Sequence, residues 1–301
     1  KLRTAKKNNT KHSNYYNWIG ASWKEDANQT IDVLKSEEVD LLIIDHYGID
    51  QKWEKKIRPY IKKIMVIDDL ANRKHYCDLL LDQNLGSSKK RYKNLIPKYS
   101  KQLHGPLYAL INSNYSLKRT KLKKRSAKIK RVLIYFGNGE ETFKLLKTTL
   151  IAFSSQDLLK MKLDIVFNGK FNDLKKLRRL TTKRVKTQIY TNLPNLSSLM
   201  SKADLAIGAA GSTSWERCCM GLPTIGVISA ENQKFVAKSL NLNGVAIVLH
   251  PSLFSVSKIS KTVMSLYNDE SYYLRISKKA FSICDGNGSK RVAKQIMRNL
   301  R

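Results

Sequence analysis

Residues 204–233, DLAIGAAGSTSWERCCMGLPTIGVISAENQ, restrict the fold more than any other stretch of the chain. A short apolar run from Asp204 to Ile207 enters a turn of small residues, Gly208-Ala209-Ala210-Gly211. Ser212, Thr213 and Ser214 then open a helix, which Gly221-Leu222-Pro223 stops. A second apolar run, Thr224 to Ser229, ends in Glu231-Asn232-Gln233. Strand, helix and strand at this spacing build a parallel sheet. The unpaired N–H groups at the helix start and the helix dipole point at one spot, which favours an anion there. Glu216, in the first turns, can accept from two vicinal hydroxyls such as those of a ribose. The segment reads as a nucleotide-diphosphate pocket.

The same alternation runs through the rest of the 301 residues, a length that suits two α/β domains. Residues 1–17 are polar and expected to be irregular. Ala27, Ile31 and Leu34 recur at helical spacing in 23–36. Strands are expected at Val39–Ile44, Lys63–Ile67, Cys77–Leu81 and Leu107–Ile111, with a helix from Asp50 that Pro59 stops. A second series expects strands at Val132–Phe136, Leu163–Phe167, Thr187–Tyr190, 204–207, 224–229 and Val245–Leu249. Helices intervene at 140–153, 172–182 and 196–202, and two more close the chain. The expected division is 1–125 and 126–301, with the basic run KRTKLKKRSAKIKR (118–131) as a solvated linker.

In an open parallel sheet, ligands bind beyond the carboxyl ends of the strands. The first series delivers Asp45-His46-Tyr47, Asp68-Asp69 and Asp82-Gln83-Asn84 to that edge. Helix caps account for some of these acids. Tyr47, before the turn at Gly48, is assigned to the site, with Asp45, His46, Asp69 and Asn84 as candidate cleft residues. His46 is the histidine placed for acid–base work. The second series delivers Gly137, Leu193 to Leu196, Gly211 to Glu216, Asn232 and Gln233. Gly137 lets backbone approach a ligand closely. The expected site is a nucleotide pocket facing a cleft between two Rossmann-like halves.

Composition narrows the alternatives. With 56 Lys and Arg against 24 Asp and Glu, the net charge of +32 raises a nucleic-acid partner. The basic residues are spread along the chain without interleaved aromatics, so no specific nucleic acid is expected. No run of 18 apolar residues and no apolar leader region occurs, so no stable membrane insertion is expected. Four cysteines without CxxC spacing read as reduced core thiols in the cytoplasm, with no metal site. GxxxxGK[ST], GxGxxG between strand and helix, HExxH and GxSxG are all absent, and no cofactor is expected. DGNGSK (285–290) reads as a turn interrupting helix. The oligomeric state is not legible.

The segments WIGASWKEDANQTI (18–31), DLLIIDHYGID (40–50), KIMVIDDLANRKHYCDLLLDQNLG (63–86), GPLYAL (105–110), GAAGSTSWERCCMGLP (208–223) and DGNGSKRV (285–292) carry a resemblance. Together they resemble the UDP-2,4-diacetamido-2,4,6-trideoxy-β-L-altropyranose hydrolase family of pseudaminic acid biosynthesis, similar in fold to MurG-type glycosyltransferases. The resemblance implies an α/β fold of two Rossmann-like domains of the GT-B type. It implies metal-free hydrolysis, in which water attacks the anomeric carbon of the UDP-linked sugar and UDP leaves. Carried over by position, Glu216 binds the ribose hydroxyls, and Gly211, Ser212 and Thr213 hold the diphosphate. Leu193 to Leu196 contact uracil, Asn232 and Gln233 lie near the phosphates or the sugar, and Tyr47 lies near the attacking water. The family opens with a strand and a GxGHxxR loop whose His is the expected base. That segment is not in this sequence, so the N-terminal domain is expected to be incomplete and turnover impaired. GNGEE (137–141) also departs from the family's Gly-Gly-Ser-Asp-Pro-like turn. The alternatives are a GT-B glycosyltransferase using UDP-sugar and a non-catalytic nucleotide-sugar binding module.

Overall fold

The computed structural model describes residues 15–300 except Lys124, Glu140, Lys183 and Val185. The irregular start expected for 1–17 therefore falls mostly outside the described residues, as does Glu140 of the GNGEE turn. The chain forms two compact units, Lys1–Tyr108 with Lys290–Arg301, and Ala109–Ser289.

The first unit is a parallel sheet in the order β1 (Leu41–Ile44), β2 (Lys63–Ile67), β3 (Leu79–Asp82), β4 (Lys101–His104). Met65 pairs with Leu79, and Leu79 with Lys101. Side chains alternate between the two faces of a strand. Ile64 and Val66 face α1 (Trp23–Ser36) and α2 (Gln51–Ile57), where the expected stripe Ala27, Ile31 and Leu34 is buried. Trp53 on α2 donates from its indole to Asp26 on α1 at 2.7 Å, pinning the two helices together. Met65, Leu79, Leu81 and Leu103 face the other way, against Val292 and Ile296 of α11 (Gly288–Leu300).

The fourth strand is not where apolarity suggested. Gly105, at φ +92°, and Pro106 turn the chain into a short 3-10 helix, Pro106–Tyr108, ahead of the expected strand at 107–111. The polar stretch Lys101–His104 pairs instead. It is an edge strand in which only Leu103 is fully buried, so it carries no apolar run. Three helices, not two, close the chain: α9 (Val256–Asn268), α10 (Glu270–Ile283) and α11. Asp269 ends the first and caps the second by accepting from the Tyr272 N–H at 2.8 Å. DGNGSK does interrupt helix, with Gly286 at φ +80° in the turn and Gly288 opening α11.

The second unit begins with α3 (Ser113–Arg119) and then winds a six-stranded parallel sheet. Its strands are β5 (Arg131–Tyr135), β6 (Lys162–Val166), β7 (Thr187–Tyr190), β8 (Leu205–Ala209), β9 (Thr224–Val227) and β10 (Ile247–Leu249). The order is β10-β9-β8-β5-β6-β7. The chain thus starts in the centre, lays two strands to one side and three to the other, which is the winding of a Rossmann fold. The helices between them are α4 (Thr142–Ala152), α5 (Phe171–Thr181), α6 (Ser197–Lys202), α7 (Thr213–Cys219) and α8 (Lys234–Leu242). Val132, Ile134, Leu163, Ile165, Leu205 and Ile207 are at its buried centre.

The basic run 118–131 lies inside this unit; Lys121, Lys123, Lys128 and Lys130 are exposed, as expected, but its arginines are anchored. Arg119 donates to the carbonyls of Cys219 (2.7 Å), Phe281 (2.8 Å) and Cys284 (3.1 Å). Arg125 donates to those of Met200 (3.0 Å), Met220 (2.9 Å) and Ala203, satisfying carbonyls that helices α6 and α7 leave open at their ends. Arg131 pairs with the buried Asp164. Among the described residues, no helix is long and apolar enough to cross a membrane. All four cysteines are buried thiols.

Candidate functional site

Strand order in the second unit reverses between β5 and β8, the position where such sheets bind ligands. Tyr135 and Gly208 are paired there, so the segments after them emerge side by side. A side chain at Gly208 is excluded, since its Cβ would lie 2.1 Å from the Tyr135 carbonyl oxygen. Gly137 follows β5 in the left-handed region at φ +80°, with nothing within 4 Å of where a Cβ would sit. Backbone at that point is therefore open to a ligand.

After β8, Gly211 lies against Gln233: a Cβ there would meet Gln233 Nε2 at 3.3 Å. Gln233 is fixed at its other end, where Oε1 accepts from Ser229 N (2.9 Å) and Oγ (3.1 Å). Asn232 is its half-buried neighbour in the 3-10 turn Glu231–Gln233. Ser212 occupies the N-cap position of α7 but makes no side-chain capping bond, and it is exposed. Thr213 is the first residue of that helix.

Glu216 is half-buried on α7. Burial pushes its carboxyl pKa up, against a hydrogen bond from Tyr115 and the charge of Arg217. The Tyr115 hydroxyl also accepts the Leu196 N–H at 3.0 Å. Leu196 closes the 193–196 segment, where Leu193 is half-buried and Asn195 Oδ1 accepts from Ser197 N (3.1 Å) and Oγ (2.7 Å). The fold thus joins Gly211 to Gln233, and Glu216 to the end of the Leu193–Leu196 loop. Gly137 shares the same sheet edge.

Two residues here carry no sequence signal. Tyr115 lies on a short helix outside the β–α series. Arg217 is buried and donates to the Ala209 carbonyl (2.6 Å) and Ser214 Oγ (2.9 Å), bracing the turn from beneath.

The strand ends of the first unit are more densely bonded. Asp68 is fully buried, accepting from Arg73 (2.7 Å), the Ala71 N–H (2.8 Å) and Tyr92 (3.0 Å). Burial alone would raise its pKa, but the Arg73 guanidinium, with the hydrogen bonds from the Ala71 N–H and Tyr92, holds it low. Asp82 is likewise buried, with Ser87 Oγ at 2.7 Å, the Asn84 N–H at 3.0 Å, Tyr92 at 3.1 Å and Arg91 paired to it.

Asp69 differs. Burial pushes its carboxyl up to about 6; a bond from the Tyr47 hydroxyl opposes this, and the charges of Asp68 and Asp82 add to it. Its Oδ1 is buried without a hydrogen-bond partner. Asn84 Nδ2 donates to the Asp69 carbonyl at 3.3 Å. Tyr47 packs at a tilt against Tyr15 and Trp18, with ring centroids 5.0 and 5.8 Å away. Tyr47, Asp69 and Asn84 therefore form one cluster. His46 turns inward to its own loop, its Nδ1 accepting the Gly48 N–H at 3.0 Å. Asp45 is solvent-exposed.

Residues 162–296 match the Glycosyltransferase family 28 C-terminal domain. The chain is 29% identical over 217 residues to protein MJ1062 of Methanocaldococcus jannaschii, a match covering 69% of this chain and 44% of that protein. It thus spans under half the length of that relative. It is 27% identical over 222 residues to the UDP-2,4-diacetamido-2,4,6-trideoxy-β-L-altropyranose hydrolase of Campylobacter jejuni, covering 73% of this chain and 77% of the enzyme. Among solved structures, Acinetobacter baumannii MurG aligns with a TM-score of 0.64 at 15% identity, over 92% of this chain and 78% of MurG. The UDP-GlcNAc 2-epimerase of Neisseria meningitidis, solved with UDP-GlcNAc bound, aligns with a TM-score of 0.67 at 14% identity, over 92% and 82%. The resemblance read from the sequence motifs and the GT-B architecture both hold: this is a GT-B-type α/β chain whose residues 162–296 match the Glycosyltransferase family 28 C-terminal domain and which resembles the UDP-diacetamido-trideoxy-altropyranose hydrolases.

Proposed function

We propose that the chain binds a UDP-linked 2,4-diacetamido-2,4,6-trideoxy sugar and releases the free sugar and UDP by hydrolysis. The observation that carries this reading is the edge at the β5–β8 switch point. An open glycine backbone, the Gly211-Ser212-Thr213 turn and a partly buried carboxylate lie there, with Tyr115 joining that carboxylate to the Leu193–Leu196 loop. Gly211, Ser212 and Thr213 take the diphosphate with the Gly137 backbone close by, Glu216 the ribose hydroxyls, Leu193 to Leu196 the uracil, and Asn232 and Gln233 the phosphate or sugar. Charge grows on the departing UDP as the anomeric C–O bond breaks, and preset N–H donors stabilise it. Tyr47, held by Asp69, is assigned to the water or sugar. The match to a hydrolase of this name supports the reading.

Calorimetry with UDP on the wild-type chain and on Glu216→Ala tests the binding half. A folded wild-type chain that binds no UDP would overturn it. A second reading, transfer of the sugar to an acceptor, is favoured by the family 28 domain and the MurG-like fold. UDP release from the nucleotide sugar in water alone supports hydrolysis, whereas release only with an added acceptor supports transfer.

A further inference from the structure

We infer that the basic run 118–131 walls a second anion site, a cavity at the amino edge of the six-stranded sheet that takes a phosphate chain without a base. The inference stands apart from the UDP-binding reading above.

A cavity of about 460 Å³ lies between the segment after α3 and the end of α6. That size suits a small ligand. Lys118, Lys121, Lys123 and Lys202 line it. None of these four lysines joins an ion pair among the described residues. Asp204 is the one acid among the described lining residues, and its carboxylate is committed: Oδ2 accepts the N–H groups of Lys130 (2.9 Å) and Arg131 (2.8 Å). Arg125, also in the wall, spends its guanidinium on the Met200, Ala203 and Met220 carbonyls. It thereby covers the helix-end carbonyls that would otherwise attract a cation. The lysine charges around the space are left uncompensated by the described residues.

Four cations around one concave space concentrate positive potential there. An ammonium is a compact charge with rotatable donors, so lysines select charge density and not a planar shape. A phosphate chain meets that demand. No aromatic side chain is among the described lining residues, so nothing there stacks a base, as single-stranded nucleic acid requires. Position separates this cavity from the nucleotide edge. Ala203 and Asp204 precede β8, whereas Ala210 and Gly211 follow it, and a strand of its length spans about 16 Å.

The test is calorimetry on the full chain with inorganic tripolyphosphate at about 0.15 M salt, with excess UDP present to fill the nucleotide edge. Wild type is expected to bind one tripolyphosphate. Lys121→Gln with Lys123→Gln should weaken that binding by about tenfold. Lys128→Gln with Lys130→Gln removes the same charge from exposed lysines of the same run that do not line the cavity, and should change binding by less than about twofold. All four side chains are exposed, so neither pair disturbs folding. Equal losses from the two pairs, or no binding by wild type, overturn the inference. Tighter binding of a single-stranded oligonucleotide than of tripolyphosphate, lost with Lys121 and Lys123, also overturns it, in favour of a nucleic-acid surface. Phosphatidylcholine vesicles with and without phosphatidylinositol bisphosphate separate the sources. Co-sedimentation that needs both the phosphorylated lipid and the Lys121–Lys123 pair puts the phosphates on a headgroup, and its absence puts them on a soluble anion. A chain that binds tripolyphosphate in this way but not UDP overturns the UDP reading alone.

Discussion

In the first unit, β2 and β3 end in Asp68 and Asp82, buried acids each met by a guanidinium, Tyr92 and a backbone N–H. In the second unit, β5 and β8 are followed by Gly137 and Gly211, beside an exposed Ser212 and a half-buried Glu216. Both edges lie where an open parallel sheet binds ligands. Strand-end acids in one are consumed by loops that need them. Glycines in the other leave backbone groups for something external. Residue type at a strand end is therefore a weak guide to a site, and the number of partners already satisfied is a strong one. Asp69 is the exception that fits: it stands among consumed acids yet keeps a buried oxygen without a partner.

The comparison breaks most readily at Asp82. Asp82→Ala should cost about 3–5 kcal/mol of stability, because Arg91 and Tyr92 lose a buried partner. Urea unfolding reads that loss, and a loss near zero would mean the acid is not structural. Glu216→Ala should weaken UDP binding by about 10- to 100-fold, with stability changed by under about 1 kcal/mol, as expected for a group that acts on ligand.

Acidification should mimic that variant in part. The Glu216 pKa is raised, so its carboxylate is protonated at a higher pH than an ordinary glutamate. UDP affinity should therefore begin to fall, on acidification, at a higher pH than an ordinary glutamate would give, and Glu216→Gln should flatten the fall.

Asp69 sharpens the contrast through linkage. Its folded pKa, about 6, lies above the ordinary value of 3.8, so the folded state holds a proton that the unfolded state has already lost. Stability contributed by this group is complete below pH 4 and declines as pH rises through about 6. Asp69→Asn should be close to neutral at pH 4 and stabilising by about 1–2 kcal/mol at pH 7, after allowance for partial exposure. A thermal-unfolding series across that range with no pH-dependent difference would remove Asp69 from its special place. The smallest effect belongs to Ser212→Ala. It should leave stability unchanged, since the side chain makes no cap, and weaken UDP binding by about 1 kcal/mol.

Legibility varied with the physics of each element. The strands Lys63–Ile67 and Thr187–Tyr190 stand where they were expected. β4 was missed because an edge strand needs little apolar surface, and the α9–α10 break was missed because Asp269 serves both helices. Arg119 and Arg125 of the basic run looked solvated because their partners are backbone carbonyls far along the chain.

What the sequence by itself determined is the alternation of strand and helix and the glycines between them. Those follow from local periodicity and from backbone space, which neighbouring residues dictate. What only the tertiary structure decided is which polar groups are spent and which are left to act. Tyr115 meets Leu196 across 81 residues of chain, and Asp69 is distinguished from Asp68 and Asp82 by partners it lacks. Hydrogen bonds of that kind depend on distant segments arriving together, and no local pattern encodes them.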